Sequence, residues 1–215
     1  MESLEGGCVI VANGRFPSAE LPLRLLKEAK TIIACDGAVK TLYEKGIHPD
    51  AIVGDLDSIP AGLRERYADR IHHVEDQEIN DLTKSVRFAH TQGYREVLIL
   101  GATGFREDHT LGNISLLMDY AHLFKRVEML SDYGLFTPIL ETTTFASYPG
   151  QQISIFVLYP EGEISTEGLR WPIRRRKLTS WWQGTLNEAL GDQFTVTLSP
   201  DCRVIIYREA SHTKE

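Results

Sequence analysis

Cysteine is scarce in this chain: Cys8, Cys35 and Cys202 are the three in 215 residues. An odd number with no C-x-x-C spacing offers neither a disulfide framework nor a thiolate zinc site, and it suits a reduced compartment. Long apolar runs are missing too. The longest near the start is Cys8-Val9-Ile10-Val11-Ala12, behind the acidic stretch Met1-Glu2-Ser3-Leu4-Glu5, so neither a signal peptide nor a membrane span is expected and a cytoplasmic location follows. Positive charge is in deficit, 23 Lys+Arg against 30 Asp+Glu for a formal charge of −7, which gives nucleic acid no broad electrostatic reason to bind. The G-x-x-x-x-G-K-[ST] loop, a G-x-G-x-x-G after the first strand, the G-x-S-x-G elbow and H-E-x-x-H are all absent. P-loop NTPases, dinucleotide dehydrogenases, serine hydrolases and zinc peptidases therefore lack residues to carry them. What remains, 42% hydrophobic and 25% charged, is the composition of an ordinary globular protein with a real core.

The first two thirds alternate short β-rich apolar runs with helix-periodic stretches, as successive βα units of a parallel sheet do. Six strands are expected at Gly7–Ala12, Thr31–Cys35, Ala51–Val53, Arg70–Val74, Val97–Leu100 and Arg126–Leu130, each apolar enough to be covered on both faces. Helices are expected between them. Leu82, Val86 and Ala89 share one stripe of Asn80–Gln92, and Leu111, Ile114, Met118 and Ala121 share another of His109–Leu123, with Asn80 and Asp108 at the cap positions. Beyond about Tyr133 the character changes to β-branched and aromatic runs at 142–145, 153–159, 194–198 and 204–207, separated by Pro, Gly and Asp. The fold class expected is an open, mostly parallel, Rossmann-like α/β sheet over residues 1–134, followed by a small all-β, sandwich-like domain over 135–215.

Three N-terminal strands end in polar clusters: Asp36-Gly37, Gly54-Asp55-Leu56-Asp57-Ser58 and Gly101-Ala102-Thr103-Gly104. Open α/β sheets bind ligands beyond the carboxyl ends of their strands, so Asp36, Asp55 and Asp57 should face one crevice. Asp81 and Asp108, at helix N-termini, return to the same rim. Such a density of carboxylates calls for a cation, and hard oxygen ligands suit Mg²⁺, Mn²⁺ or Ca²⁺, with Mg²⁺ the default. Because Mg²⁺ is commonly shared with phosphates, an anionic, phosphorylated second ligand is implied, with Gly37, Gly54, Gly101 and Gly104 letting backbone approach it. Lys84 lies one turn after Asp81, as a surface pair or as a cation aimed at phosphate. Arg106 carries a guanidinium suited to bidentate phosphate recognition. His72-His73 read as strand-end residues, and Arg174-Arg175-Arg176-Lys177 as a solvated strand connection.

Taken in order, these motifs resemble the thiamine pyrophosphokinase family. Ala34-Cys35-Asp36-Gly37-Ala38 is similar to its first acidic turn, and Gly54-Asp55-Leu56-Asp57-Ser58-Ile59 to its G-D-x-D-S-I signature. Asp76-Gln77-Glu78-Ile79-Asn80-Asp81-Leu82-Thr83-Lys84 resembles D-Q-x-x-T-D-x-x-K, and residues 101–114 resemble G-x-x-G-G-R-x-D-H-x-x-x-N-I. In the β region, Gly168-Leu169-Arg170-Trp171-Pro172-Ile173 is similar to G-L-x-W-P-L, and Gly184-Thr185-Leu186-Asn187-Glu188 to G-T-S-N-E. Asn80 replaces the usual Thr, Phe105 a common Gly, and Leu186 a Ser whose hydrogen bond Leu cannot make.

The resemblance implies transfer of the pyrophosphoryl group of ATP to the hydroxyl of thiamine, giving thiamine diphosphate and AMP. It implies Mg²⁺ on Asp55, Asp57 and Asp81, with Asp36 in support. Gly37, Lys84, Gly101, Thr103, Arg106, Asp108, His109 and Asn113 fall on the nucleotide side, and Gln77, Trp171, Thr185 and Asn187 on the thiamine side. Asp55, Asp57, Asp81, Asp108 and Arg106 are implied as the catalytic set, Asp81 or Asp108 orienting or deprotonating the hydroxyl. A homodimer with thiamine between the α/β domain of one subunit and the β domain of its partner is implied too. Two other readings stay open: a haloacid-dehalogenase-type Mg²⁺-dependent phosphatase, whose nucleophile signature is also Asp-x-Asp, and a non-catalytic thiamine or nucleotide sensor.

Overall fold

The computed structural model describes residues 6–159, 161–200 and 202–210. The chain divides into two compact units between Asp132 and Tyr133. In the first, β1 (Cys8–Val11), β2 (Ile32–Cys35), β3 (Ala51–Gly54), β4 (Ile71–His73), β5 (Glu96–Leu100) and β6 (Arg126–Leu130) form parallel pairs in the order β6-β5-β1-β2-β3-β4. Between them run α1 (Glu20–Glu28), α2 (Ala38–Glu44), α3 (Ala61–Arg66), α4 (Asp81–Thr91) and α5 (Glu107–Tyr120). Because β1, β2, β3 and β5 are buried at every position, their side chains are apolar on both faces apart from Glu96 at the start of β5, which is paired with Arg126 at 3.0 Å, and this is why they read as nearly continuous apolar runs. β4 departs from that expectation. It lies at the sheet edge with His72 and His73 exposed, and an edge strand needs covering on fewer sides; His72 packs on Phe88 with ring centroids 4.3 Å apart.

The second unit is antiparallel. Strands β7 (Gly134–Ile139), β8 (Thr143–Ala146), β9 (Gln152–Tyr159), β10 (Ile164–Glu167), β11 (Asn187–Glu188), β12 (Gln193–Leu198) and β13 (Arg203–Glu209) form two layers, β11-β9-β13-β7 and β10-β12-β8. Along β9, Ile153, Ile155 and Val157 point into the core while Ser154, Phe156 and Leu158 alternate outward, the two-residue period of a strand with one dry face. Phe145 of β8 and Phe194 of β12, cross-strand partners in the second layer, stack at 5.2 Å and share a core cluster with Ile153 and Val204 of the first. Three strands of this unit, β7, β10 and β11, are not evident in the sequence. Pro138 interrupts the first, and the other two are short and polar. Among the described residues no helix is long and apolar enough to cross a membrane.

The Phe194 side chain is 1% exposed, so Phe194→Ala should leave a cavity and destabilise the second unit by about 3–5 kcal/mol. Urea titration followed by circular dichroism measures it; a loss below about 1 kcal/mol would mean the two layers do not pack through this ring.

Candidate active site

In a parallel sheet the strand order reverses where the chain first works outward in one direction and then in the other. Here that point lies between β1 and β5, with β2, β3 and β4 on one side and β6 on the other. The loops leaving the carboxyl ends of β1 and β5 separate there, and ligands bind in such crevices. A cavity of about 400 Å³ opens at this place, walled by Asn13 and Gly14 after β1, Ala102 and Thr103 after β5, and the starts of α4 and α5. Of the residues singled out in the sequence, Asp55, Gln77, Asp81, Lys84, Thr103, Arg106, His109 and Asn113 line it. Asp36, Gly37, Asp57, Gly101 and Asp108 lie outside its lining. Asn13 and Gly14 carry no chemistry-bearing pattern in the sequence; only their position after the central strand marks them.

Lys84 organises the acidic side. Asn80 caps α4, its Oδ1 accepting from the Thr83 backbone amide at 2.8 Å, which sets the helix start and puts Asp81 and Lys84 one turn apart on its inner face. The Lys84 ammonium donates to Asp81 at 2.9 Å and to Asp55 at 3.2 Å, with its side chain 2% exposed. It is therefore neither a surface pair nor a free cation, but a buried clamp between β3 and α4. Burial disfavours its charge, yet the two carboxylates outweigh that and raise its pKa; burial works against Asp55 as well, and the bond from Lys84 wins and lowers it.

Asp36, directly after β2, lies beside Asp55 and Asp57, and the three offer one oxygen each, all within 4.8 Å of one another. Asp36 is 1% exposed and its Oδ2 has no hydrogen-bond partner. Burial, then the charges of Asp81 and Asp55, push its carboxyl from 3.8 up to about 6. Between Asp55 and Asp57 the backbone of Leu56 takes a left-handed conformation at φ 71°, a sparsely populated state for a bulky residue. Asp81, expected with Asp55 and Asp57 as a metal ligand, accepts a bond from Lys84, as Asp55 also does, and the carboxylate oxygens gathered within 4.8 Å are those of Asp36, Asp55 and Asp57. A carboxylate trio with one orphaned buried oxygen and an elevated pKa suits a hard divalent cation.

At the other wall, helix α5 begins two residues earlier than its apolar stripe suggests, with Arg106 at the N-cap and Asp108 inside the first turn. Any acid in that turn interacts with the helix dipole, so the sequence pattern does not single out the cap. The exposed Arg106 guanidinium grips Asp108 through two bonds, 3.1 and 2.5 Å, and together with the His109 amide holds its carboxyl down at about 2. Asn113 donates to the Ala102 carbonyl at 2.8 Å and accepts from Asn80 at 3.3 Å, joining α5, α4 and the β5 loop. The glycines expected to admit a ligand admit the chain itself: a Cβ on Gly54 would stand 2.6 Å from that of Asp36, and one on Gly101 2.7 Å from the Ala12 carbonyl, while Gly37 lies against the Asn13 side chain.

The residues named in the β region line a separate cavity of about 300 Å³ within the second unit, where Trp171, Thr185, Leu186 and Asn187 meet. Asn187 is 6% exposed and its amide serves the fold: Oδ1 accepts from the Trp171 and Glu188 amides, and Nδ2 donates to the Trp171 carbonyl at 2.7 Å. Thr185 donates its hydroxyl to the Trp182 carbonyl at 2.9 Å. Leu186 is 75% exposed, at φ 58°.

The sequence model of the thiamin pyrophosphokinase catalytic domain matches residues 23–129, and that of the thiamin pyrophosphokinase substrate-binding domain matches residues 134–207. The chain belongs to the thiamin pyrophosphokinase family. It is 28% identical to thiamine pyrophosphokinase 1 of Oryza sativa subsp. japonica over 92% of this chain and 84% of that one. It is 32% identical to thiamin pyrophosphokinase 1 of Caenorhabditis elegans over 55% of this chain and 54% of that one. The fold is that of solved members: the structure of thiamin pyrophosphokinase from Candida albicans superposes with a TM-score of 0.80 at 18% identity, covering 94% of this chain and 90% of that one. The Bacillus subtilis structure gives 0.79 at 20% identity, covering 96% and 100%.

Asp36 supplies a pH test. Between pH 3.8 and about 6 the native state keeps a proton that the unfolded chain has lost, so this group's contribution to stability falls as pH rises through that window and stays low above it. In EDTA, thermal melts of wild type should show that decline, and Asp36→Asn should flatten it. Parallel profiles for the two proteins would contradict the elevated carboxyl.

Proposed function

We propose that the chain transfers the pyrophosphoryl group of ATP to the hydroxyl of thiamine, releasing AMP. The observation that carries the reading is the joint presence, beyond the carboxyl ends of the strands, of the Asp36, Asp55 and Asp57 trio and the Lys84 clamp, in a chain matched over residues 23–129 and 134–207 by the two domains of the family. Asp55 and Asp57, with Asp36, would hold Mg²⁺, which when bound supplies charge neutralisation to the polyphosphate. The cavity between β1 and β5 takes the nucleotide, with Thr103, His109 and Asn113 on its wall.

Arg106 has a double use. Gripping Asp108, it keeps that carboxylate a weak base near 2; turned toward the polyphosphate, it would stabilise charge on the transferring group and free Asp108 to accept a hydrogen bond from the thiamine hydroxyl. The hydroxyl oxygen then bonds to the β-phosphorus, the bond from that phosphorus to the α–β bridging oxygen breaks, AMP leaves with that oxygen, and the hydroxyl proton passes to a carboxylate. Asp81, held by Lys84, is the second candidate for that contact. Gln77, which donates to Asp55 at 3.5 Å on the wall of the same cavity, would meet the acceptor where it approaches the nucleotide. A homodimer in the cytoplasm completes the proposal, the β unit contributing the acceptor site. The phosphatase reading fits less well, because β1, central in the sheet, ends in Ala12-Asn13-Gly14 with no carboxylate to act as nucleophile.

Purified protein with ATP, Mg²⁺ and thiamine should yield AMP and thiamine diphosphate in equal amounts, dependent on thiamine and abolished by EDTA, as resolved by chromatography. Asp57→Asn should lower that rate at least about a hundredfold while leaving the thermal melt intact. Phosphate released without thiamine would establish a phosphatase, and thiamine binding with no AMP a sensor.

A further inference from the structure

The cavity of the second unit has a charge that its expected acceptor does not match. Its lining includes Arg174 and Arg176 and no carboxylate. The segment is pinned rather than loose: Arg176 exchanges two 3.0 Å backbone bonds with Ile164 of β10, Ile173 donates to Thr166 at 2.8 Å, and the Arg175 amide donates to Ser165 at 3.0 Å. Within this pinned stretch Arg175, at φ 45°, turns to Glu163 at 3.2 Å, while Arg174 and Arg176 line the cavity. Among the described residues neither of these two guanidiniums has an ion-pair partner, whereas the neighbouring Arg170 is matched by Glu188 at 3.1 Å. Trp171 offers its ring, 57% exposed, with its backbone locked by Asn187. Because Asn187 and Thr185 are engaged inside the chain, an aromatic face and two unmatched cations are what the cavity presents to a ligand.

Thiamine carries a positive thiazolium ring and no anion, so two unpaired arginines disfavour it; a heteroaromatic ring joined to a phosphate chain satisfies both features. We propose that Arg174 and Arg176 form an anion site in the second unit that binds a diphosphorylated heteroaromatic, the reaction product, in preference to the cationic acceptor. Naming the product rests on the proposed function, while the preference for an anion does not. The consequence is retention of product at the site that must receive the next acceptor.

The test is direct binding at 0.15 M salt, without turnover, of thiamine diphosphate, thiamine, AMP and inorganic pyrophosphate to wild type, to Arg174→Gln/Arg176→Gln and to Arg174→Lys/Arg176→Lys. Thiamine diphosphate should weaken roughly tenfold or more in the Gln variant and partly recover in the Lys variant, with thiamine unchanged or tighter. Equal weakening of thiamine and thiamine diphosphate, or no change in either, would overturn the proposal. Tight AMP or pyrophosphate binding lost in the Gln variant, with thiamine diphosphate unaffected, would overturn the product assignment. Matching thermal melts exclude unfolding as the cause. Failure of the AMP-forming assay would sink the proposed function while leaving this charge preference to be read independently.

Discussion

One buried ammonium holds the acidic rim of the first unit together. Carboxylates after β2 and β3 and at the start of α4 repel one another, and without a counter-charge α4 would be driven away from the sheet edge it covers. Lys84 removes most of that cost by donating to Asp55 and Asp81 at once. It reaches them because Asn80 fixes where α4 starts and because its stem is buried against the sheet. A charge so enclosed is tolerable only when its hydrogen bonds are made, so the pairing fixes the helix in place as much as it stabilises it. Asp36 is a carboxylate this clamp does not reach, and burial first, then the charges of Asp81 and Asp55, raise its pKa.

The second unit solves the opposite problem. Its cavity has two cations in its lining, and the buried amide of Asn187 holds the Trp171 backbone. A polar side chain that is nearly buried must satisfy its own hydrogen bonds first. Its role in the fold is therefore to fix the backbone that carries the Trp171 ring. The acidic site of the first unit and the basic cavity of the second give an overall acidic protein two local environments of opposite sign, each suited to a different part of a phosphoryl transfer.

Much of this was legible beforehand. The parallel strands announce themselves because burial on both faces demands unbroken apolar runs, and the acids that follow β2 and β3 are brought side by side by the parallel register that sets Cys35 beside Val53. The β-rich character of the last third, and the residues 168–173 and 184–188 that frame its cavity, also stand out. The strands β7, β10 and β11 do not, since a proline, a short run or two residues alone carry no period to detect. Nor does the tie between Arg106 and Asp108, or the filling of glycine spaces by Asn13 and Asp36, because each depends on side chains far apart or freely rotating in the sequence.

The sequence by itself determined the order of elements, the family and the gathering of carboxylates at strand ends, because periodicity and residue type are local properties that no packing can rearrange. Only the tertiary structure decided which carboxylates gather close enough to share a cation, which two are matched by Lys84, and which of four consecutive basic residues reach a cavity. Those outcomes turn on burial and on distances of a few ångströms between segments remote in the chain, and electrostatic energies change too steeply over such distances for residue type alone to fix them.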